Sequence, residues 1–103
     1  IYFGRDANDL LSFIATWQAC DLANNPIYNG DRAAAYGAIK ARAIILPART
    51  DFYFPPEDNA AEVALMPNAE LRVIDSIWGH YSGGGRTEAD LNVIDQALKD
   101  LLA

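Results

Sequence analysis

The 103-residue chain contains a single cysteine, a single histidine and a single methionine. A lone Cys20 cannot close an internal disulfide, and it leaves no Cys-x-x-Cys pair for zinc. Such usage fits a reducing compartment, and a cytoplasmic protein is expected. No apolar stretch approaches the roughly 20 residues that a membrane span requires, so no membrane partner is expected. Positive charge is scarce too: 8 Lys and Arg stand against 14 Asp and Glu, a formal net charge of −6. A surface of that sign repels phosphates and argues against nucleic acid as a partner. The chain lacks internal repeats, low-complexity tracts and linkers. Its opening IYFGRDAND is no signal peptide, although a start at Ile1 leaves a preceding segment open.

What remains is a globular composition, 51% hydrophobic and 21% charged, at the length of one small domain. Residues 6–22 predict a helix, with Asp6 as cap, Asp9 three residues on, and Leu10, Phe13, Ile14 and Trp17 on one face. Asn, Pro and Gly mark residues 23–31 as a loop. A short second helix over 32–41 comes next, interrupted by Gly37. Residues 43–46 form a continuous apolar run, as expected for a strand buried on both faces. Pro55 and Pro56 open a third helix, with Glu57 and Asp58 where acids favour the helix dipole, and Pro67 stops it near Met66. Residues 70–76 predict a second strand. The last helix has a capping box of Thr87 and Asp90, and Leu91, Ile94, Leu98 and Leu101 lie on one stripe.

The strand–helix–strand order implies a parallel, right-handed unit. Two parallel strands cannot cover both faces and both edges of a sheet, so the chain reads as the end of a larger α/β domain. On its own it is expected to be insoluble or molten.

Asp51 and His80 each fall just beyond a strand's carboxyl end, the edge where ligands and catalytic groups of open α/β sheets collect. There the carboxylate can orient the imidazole, and a hydrogen bond of about 2.6–3.2 Å between them is expected. The histidine can then take a proton from a nucleophile and return it to a leaving group. Taken singly, Asp51 also reads as a turn or capping aspartate, and His80 as a loop histidine with no task. The pairing on consecutive strand ends carries the weight. His80 lies in SIWGHYSGGG, a glycine-flanked turn that offers little packing. A thiol pair of Cys20 with His80, a metal at Asp51, Glu57 and Asp58, and a phosphate cradle at Gly83, Gly84, Gly85 and Arg86 are weaker patterns. Core packing, helix-start acids and a glycine turn explain them. The aromatics of DFYF line a pocket or pack beneath the loop.

ARTDFYFPPEDN, then MPNAELRVIDSIWGHYSGGG, resembles the C-terminal end of the α/β-hydrolase fold, and within it the homoserine O-acetyltransferase-like group. RDANDLLSF resembles the Asp-Ala-Asn helix of that group, and the likeness extends over about residues 5–102. The resemblance implies a fold class: α/β, the C-terminal part of an α/β-hydrolase fold, with two parallel strands and flanking helices in one domain. It implies Asp51 as triad acid and His80 as triad base. An aspartate comes directly after the histidine in the acetyltransferases and helps hold the substrate amine. Tyr81 stands there in this chain, and Ser82 with Gly83 to Gly85 replaces the usual Ala-Phe-Leu. No Gly-x-Ser-x-Gly elbow occurs, and Ser12, Ser76 and Ser82 lack its strand-to-helix context, so the nucleophile is expected in an N-terminal part of the same domain. The implied activity is acyl transfer through an acyl-serine, with hydrolysis of a small ester preferred because Tyr81 removes the acceptor carboxylate. Transfer to homoserine and a non-catalytic binding module are the alternatives. No cofactor is implied, apart from acyl-CoA as co-substrate of a transferase. The expected partners are that N-terminal part and a small acyl substrate, with a homodimer left open.

Overall fold

A computed structural model describes residues 4–103, which divide into two compact units parting between Arg32 and Ala33. In the first unit, α1 (Ala7–Ala19) begins where the Asp6 carboxylate accepts a hydrogen bond from the Asn8 N–H at 2.7 Å. Asp6 is thus the cap, bonded to the second helical residue. The helix ends three residues earlier than its periodicity suggests, when the Cys20 N–H turns back to the Trp17 carbonyl. Asp21 and Asn25 then satisfy the N–H groups of Ala23 and Ile27 at 2.8 and 2.9 Å, the local side-chain bonding that makes this stretch a loop. α1 has no buried residue, and its apolar face, including Phe13 and Trp17, is exposed.

The second unit carries an α/β layer. α2 (Arg32–Gly37) stops at Gly37, and its buried Tyr36 donates to Glu62 on α3 (Pro56–Val63) at 2.8 Å. α3 begins with Pro56 in its first turn beside Glu57 and Asp58, as the sequence predicts. Beyond Val63 the Leu65 and Met66 N–H groups bond three residues back, so the helix tightens into a turn before Pro67.

β1 (Ala43–Ile45) and β2 (Ala69–Leu71) pair in parallel, with Ala43 opposite Ala69 and Ile45 opposite Leu71. The second strand is shorter than the stretch expected from the sequence, 70–76. Pro47 lacks an N–H, so the regular ladder breaks there. Pairing resumes as an isolated bridge, Ala48 to Ile74, in the same register. β1 is half-buried throughout and β2 only at Ala69 and Leu71, with Glu70 exposed, so neither strand is covered on two faces.

α4 (Glu88–Leu102) opens on a full capping box: Asp90 N–H to Thr87 Oγ1 at 3.1 Å, and Thr87 N–H to Asp90 Oδ2 at 3.0 Å. Its buried line runs through Asp90 and Ala97, whereas Leu91 and Leu98 of the expected stripe are each 52% exposed. The small Ala97 side chain, not a leucine, allows the helix to lie close to its layer.

Buried apolar groups in this unit are Ala35, Tyr36, Ala48, Ile74 and Ala97, and Ile74 is the largest that is fully buried. A fully buried isoleucine contributes about 1.5–3 kcal/mol, and alanine far less, so this core is small against the chain entropy it opposes. The 103-residue polypeptide alone is therefore expected to melt without a cooperative transition. A sharp two-state calorimetric transition at high solubility would show that the layer needs no further cover.

Candidate active site

The pairing register carries past the strands and delivers two loops side by side. Arg49 pairs with Asp75 at 2.5 Å, and the Thr50 hydroxyl donates to the Ser76 carbonyl at 2.9 Å, each across the same offset as the bridge. After Thr50 the chain turns sharply, with the Asp51 N–H bonded to the Ala48 carbonyl at 3.0 Å. Asp51 holds the next turn with its own side chain: Oδ1 accepts from the Tyr53 and Phe54 N–H groups at 2.8 and 3.2 Å. That leaves Oδ2 facing the second loop.

The second loop is not a loose glycine turn. Residues Gly79–Gly84 form a 3-10 helix, and Gly85, at φ +68°, ends it in the left-handed region. Gly79 stands at φ +52°, where a Cβ atom would lie 2.9 Å from the Thr50 carbonyl oxygen. Only glycine fits that approach without displacing the backbone. The Gly79 N–H donates to Thr50 Oγ1 at 3.1 Å, and the fully buried Ser82 donates its hydroxyl to the Gly79 carbonyl at 2.5 Å.

His80 comes directly after Gly79, and its Nδ1 lies 3.1 Å from Asp51 Oδ2. The Asp51 side chain is 8% exposed and that of His80 is 49% exposed, so the acid is enclosed while the imidazole is reachable. Burial pushes the Asp51 carboxyl upward, but the Tyr53 and Phe54 N–H groups and His80 outweigh it and hold the group below its usual value of 3.8. An ionised carboxylate only accepts hydrogen bonds, which assigns the proton to Nδ1 and leaves the Nε2 lone pair for chemistry. Tyr53 meets the imidazole edge-on with centroids 5.1 Å apart, and Phe54 lies tilted at 5.5 Å. Tyr53 and Phe54 of DFYF thus pack around the base, whereas Phe52 is 95% exposed. A cavity of about 260 Å³ opens beside the pair, walled by residues 45–48, Phe54 and Asn59.

Of the residues singled out from sequence, Asp51 and His80 are together. Tyr81 projects from the same 3-10 helix and is 68% exposed. Cys20 is exposed and belongs to the first unit, whereas Asp51 and His80 belong to the second. Sequence reasoning missed Thr50 and Ser82 as parts of the local frame, whereas Gly79 stood out as the glycine directly before the histidine. The signal for Thr50 was adjacency alone, a hydroxyl residue directly before the acid, and Ser82 had none.

No family model matches the chain. It is 40% identical over 101 residues to a probable esterase of Corynebacterium glutamicum, covering 98% of this chain and 28% of that protein. An ethyl acetate hydrolase of Pseudomonas veronii is 35% identical over 103 residues, covering 99% of this chain and 29% of its own length. The crystal structure of an acetylester hydrolase from C. glutamicum superposes with a TM-score of 0.82 at 42% identity, over 93% of this chain and 27% of the other. The chain therefore spans little more than a quarter of the proteins it resembles. The fold class is the one read from the sequence, part of an α/β-hydrolase fold with two parallel strands and flanking helices.

Proposed function

We propose that the whole protein is an ester hydrolase in which Asp51 and His80 activate a serine lying outside these residues. The observation that carries this reading is the 3.1 Å contact between an enclosed carboxylate and a reachable imidazole, beyond the ends of adjacent parallel strands. The names of the relatives, an esterase and an ethyl acetate hydrolase, support it.

In the proposed cycle, His80 Nε2 takes the serine proton as Oγ attacks the ester carbonyl carbon. The imidazolium returns that proton to the departing alcohol, leaving an acyl-serine. Water then attacks the acyl carbon while Nε2 takes its proton. The proton passes to serine Oγ as the carboxylic acid departs. Asp51 holds the required tautomer and stabilises each imidazolium without taking the proton itself. These steps call for no cofactor.

Hydrolysis is preferred over transfer to homoserine on the strength of Tyr81 and of the relatives' names. An ammonium-bearing acceptor needs a carboxylate near the base, because a buried unpaired charge costs several kcal/mol. Tyr81, assigned here to the acceptor side, offers a neutral hydroxyl and an aromatic face. With nitrophenyl acetate as donor, free acetate is expected to remain the main product when homoserine is added. Tyr81→Asp is expected to divert acetyl groups to homoserine. Mostly acyl-homoserine from the unmodified protein would overturn the preference for water. An unchanged partition in Tyr81→Asp would remove Tyr81 from the acceptor side.

A further inference from the structure

Besides the Asp51–His80 contact, the Arg49–Asp75 pair and the ring contacts of Tyr53 and Phe54, the acid loop and the histidine loop are joined through backbone. That link passes through the Thr50 hydroxyl, which donates to the Ser76 carbonyl at 2.9 Å and accepts from the Gly79 N–H at 3.1 Å. One hydroxyl thereby uses its donor and an acceptor position on the backbone immediately before the histidine. The next peptide, which leads into His80, is fixed by its carbonyl through Ser82. Gly79 has no side chain to steer it, and its backbone at φ +52° lies against the Thr50 carbonyl. Hydroxyl groups thus bond the peptides on both sides of Gly79, and the Tyr81 N–H also holds the Trp78 carbonyl at 3.1 Å. The Thr50 contribution comes from the residue next to the acid itself, so one turn carries both the carboxylate and the brace.

We infer that Thr50 is a positioning residue, whose hydroxyl sets the His80 imidazole relative to Asp51 and to the nucleophile. The inference rests on the catalytic reading of His80. Thr50→Val keeps the shape and removes both hydrogen bonds, leaving the Gly79 N–H without this partner. Thr50→Ser keeps the hydroxyl.

The test uses the whole protein and nitrophenyl acetate. Active sites are counted by exhaustive covalent titration with a fluorophosphonate. Misplacement of a catalytic group by a fraction of an ångström to an ångström costs up to about 10²-fold, so Thr50→Val is expected to lower kcat per titrated site by about 10- to 100-fold. KM should change little, because the hydroxyl holds backbone and not substrate. Thr50→Ser should restore most of the loss. A merely structural role would reduce the fraction of titratable sites while each remaining site turned over normally, and that result would overturn the inference. Equal losses in Thr50→Val and Thr50→Ser would overturn it too. If the valine variant does not fold, Thr50→Ala, which adds no bulk, takes its place under the same criteria. His80→Ala is run alongside. A Thr50→Val variant as active as the unmodified protein, beside an inactive His80→Ala, would sink the role of Thr50 alone. Full activity in His80→Ala would sink the catalytic reading itself.

Discussion

In the whole protein, His80→Ala is expected to lower kcat for the proposed ester hydrolysis by about 10⁴-fold or more, the scale on which a triad member fails when its partners remain. His80 is the only histidine in these 103 residues. The size of the effect separates catalysis from stability. The side chain is 49% exposed and its hydrogen bond goes to one carboxylate oxygen, so removing it changes folding by little more than the net worth of one such bond, about 1–3 kcal/mol. KM stays close to its original value if the imidazole acts on the nucleophile rather than in holding substrate. Steady-state kinetics with nitrophenyl acetate check this, with circular dichroism to establish that the variant is folded. A loss below tenfold would mean that another base does the work.

Asp51→Asn is expected to cost about 10⁴-fold in kcat with the fold intact, and the hydrogen-bond pattern gives the reason. Oδ1 of Asp51 already accepts from the Tyr53 and Phe54 N–H groups, so an asparagine must keep its carbonyl oxygen there. Its amide nitrogen, a donor only, then faces His80 Nδ1. That forces the imidazole proton onto Nε2, the atom that must receive the serine proton. The turn survives and the tautomer is wrong. Asp51→Ala, by contrast, also removes the two turn bonds and is expected to lose stability. The charge itself is secure across ordinary pH. Because the folded carboxyl is held below 3.8, its stabilising contribution is complete above the unfolded value. It is lost only as pH falls through the lower folded value. Activity lost at milder acidity belongs to another group, and a pH–rate profile of the unmodified protein should place no Asp51 midpoint above its usual value of 3.8.

The features legible in the sequence were those with one physical cause each. A parallel strand pair with constant register necessarily brings the residues beyond each strand's carboxyl end to one edge, which is why Asp51 and His80 could be placed together. Thr87 with Asp90 and Pro56 with Glu57 announce helix starts through bonding and charge that are local. The rest depended on three-dimensional fit. Periodicity gives α4 an apolar stripe, but not which of two adjacent lines meets the layer, and Ala97 rather than Leu98 is buried. Pro47 cuts a ladder that the strand expected over residues 70–76 would have continued. Gly83 to Gly85 suggest a loose turn, whereas the backbone winds into a 3-10 helix pinned by Ser82. The hydroxyls of Thr50 and Ser82 were illegible as parts of the site, since a loop Ser or Thr can bond to almost any nearby peptide.

The rate of covalent modification of the whole protein by a fluorophosphonate isolates the proposed step, activation of a serine by the Asp51–His80 pair. This reagent phosphonylates the hydroxyl and needs no second step, so slow deacylation cannot obscure the result. Intact-mass spectrometry over time, with peptide mapping of the product, gives both the rate and the site. The proposed mechanism requires one adduct, on a serine outside residues 1–103, forming about 10³-fold or more slowly in His80→Ala and in Asp51→Asn. Equal rates in the unmodified protein and in His80→Ala, or an adduct on Ser76 or Ser82, would contradict it.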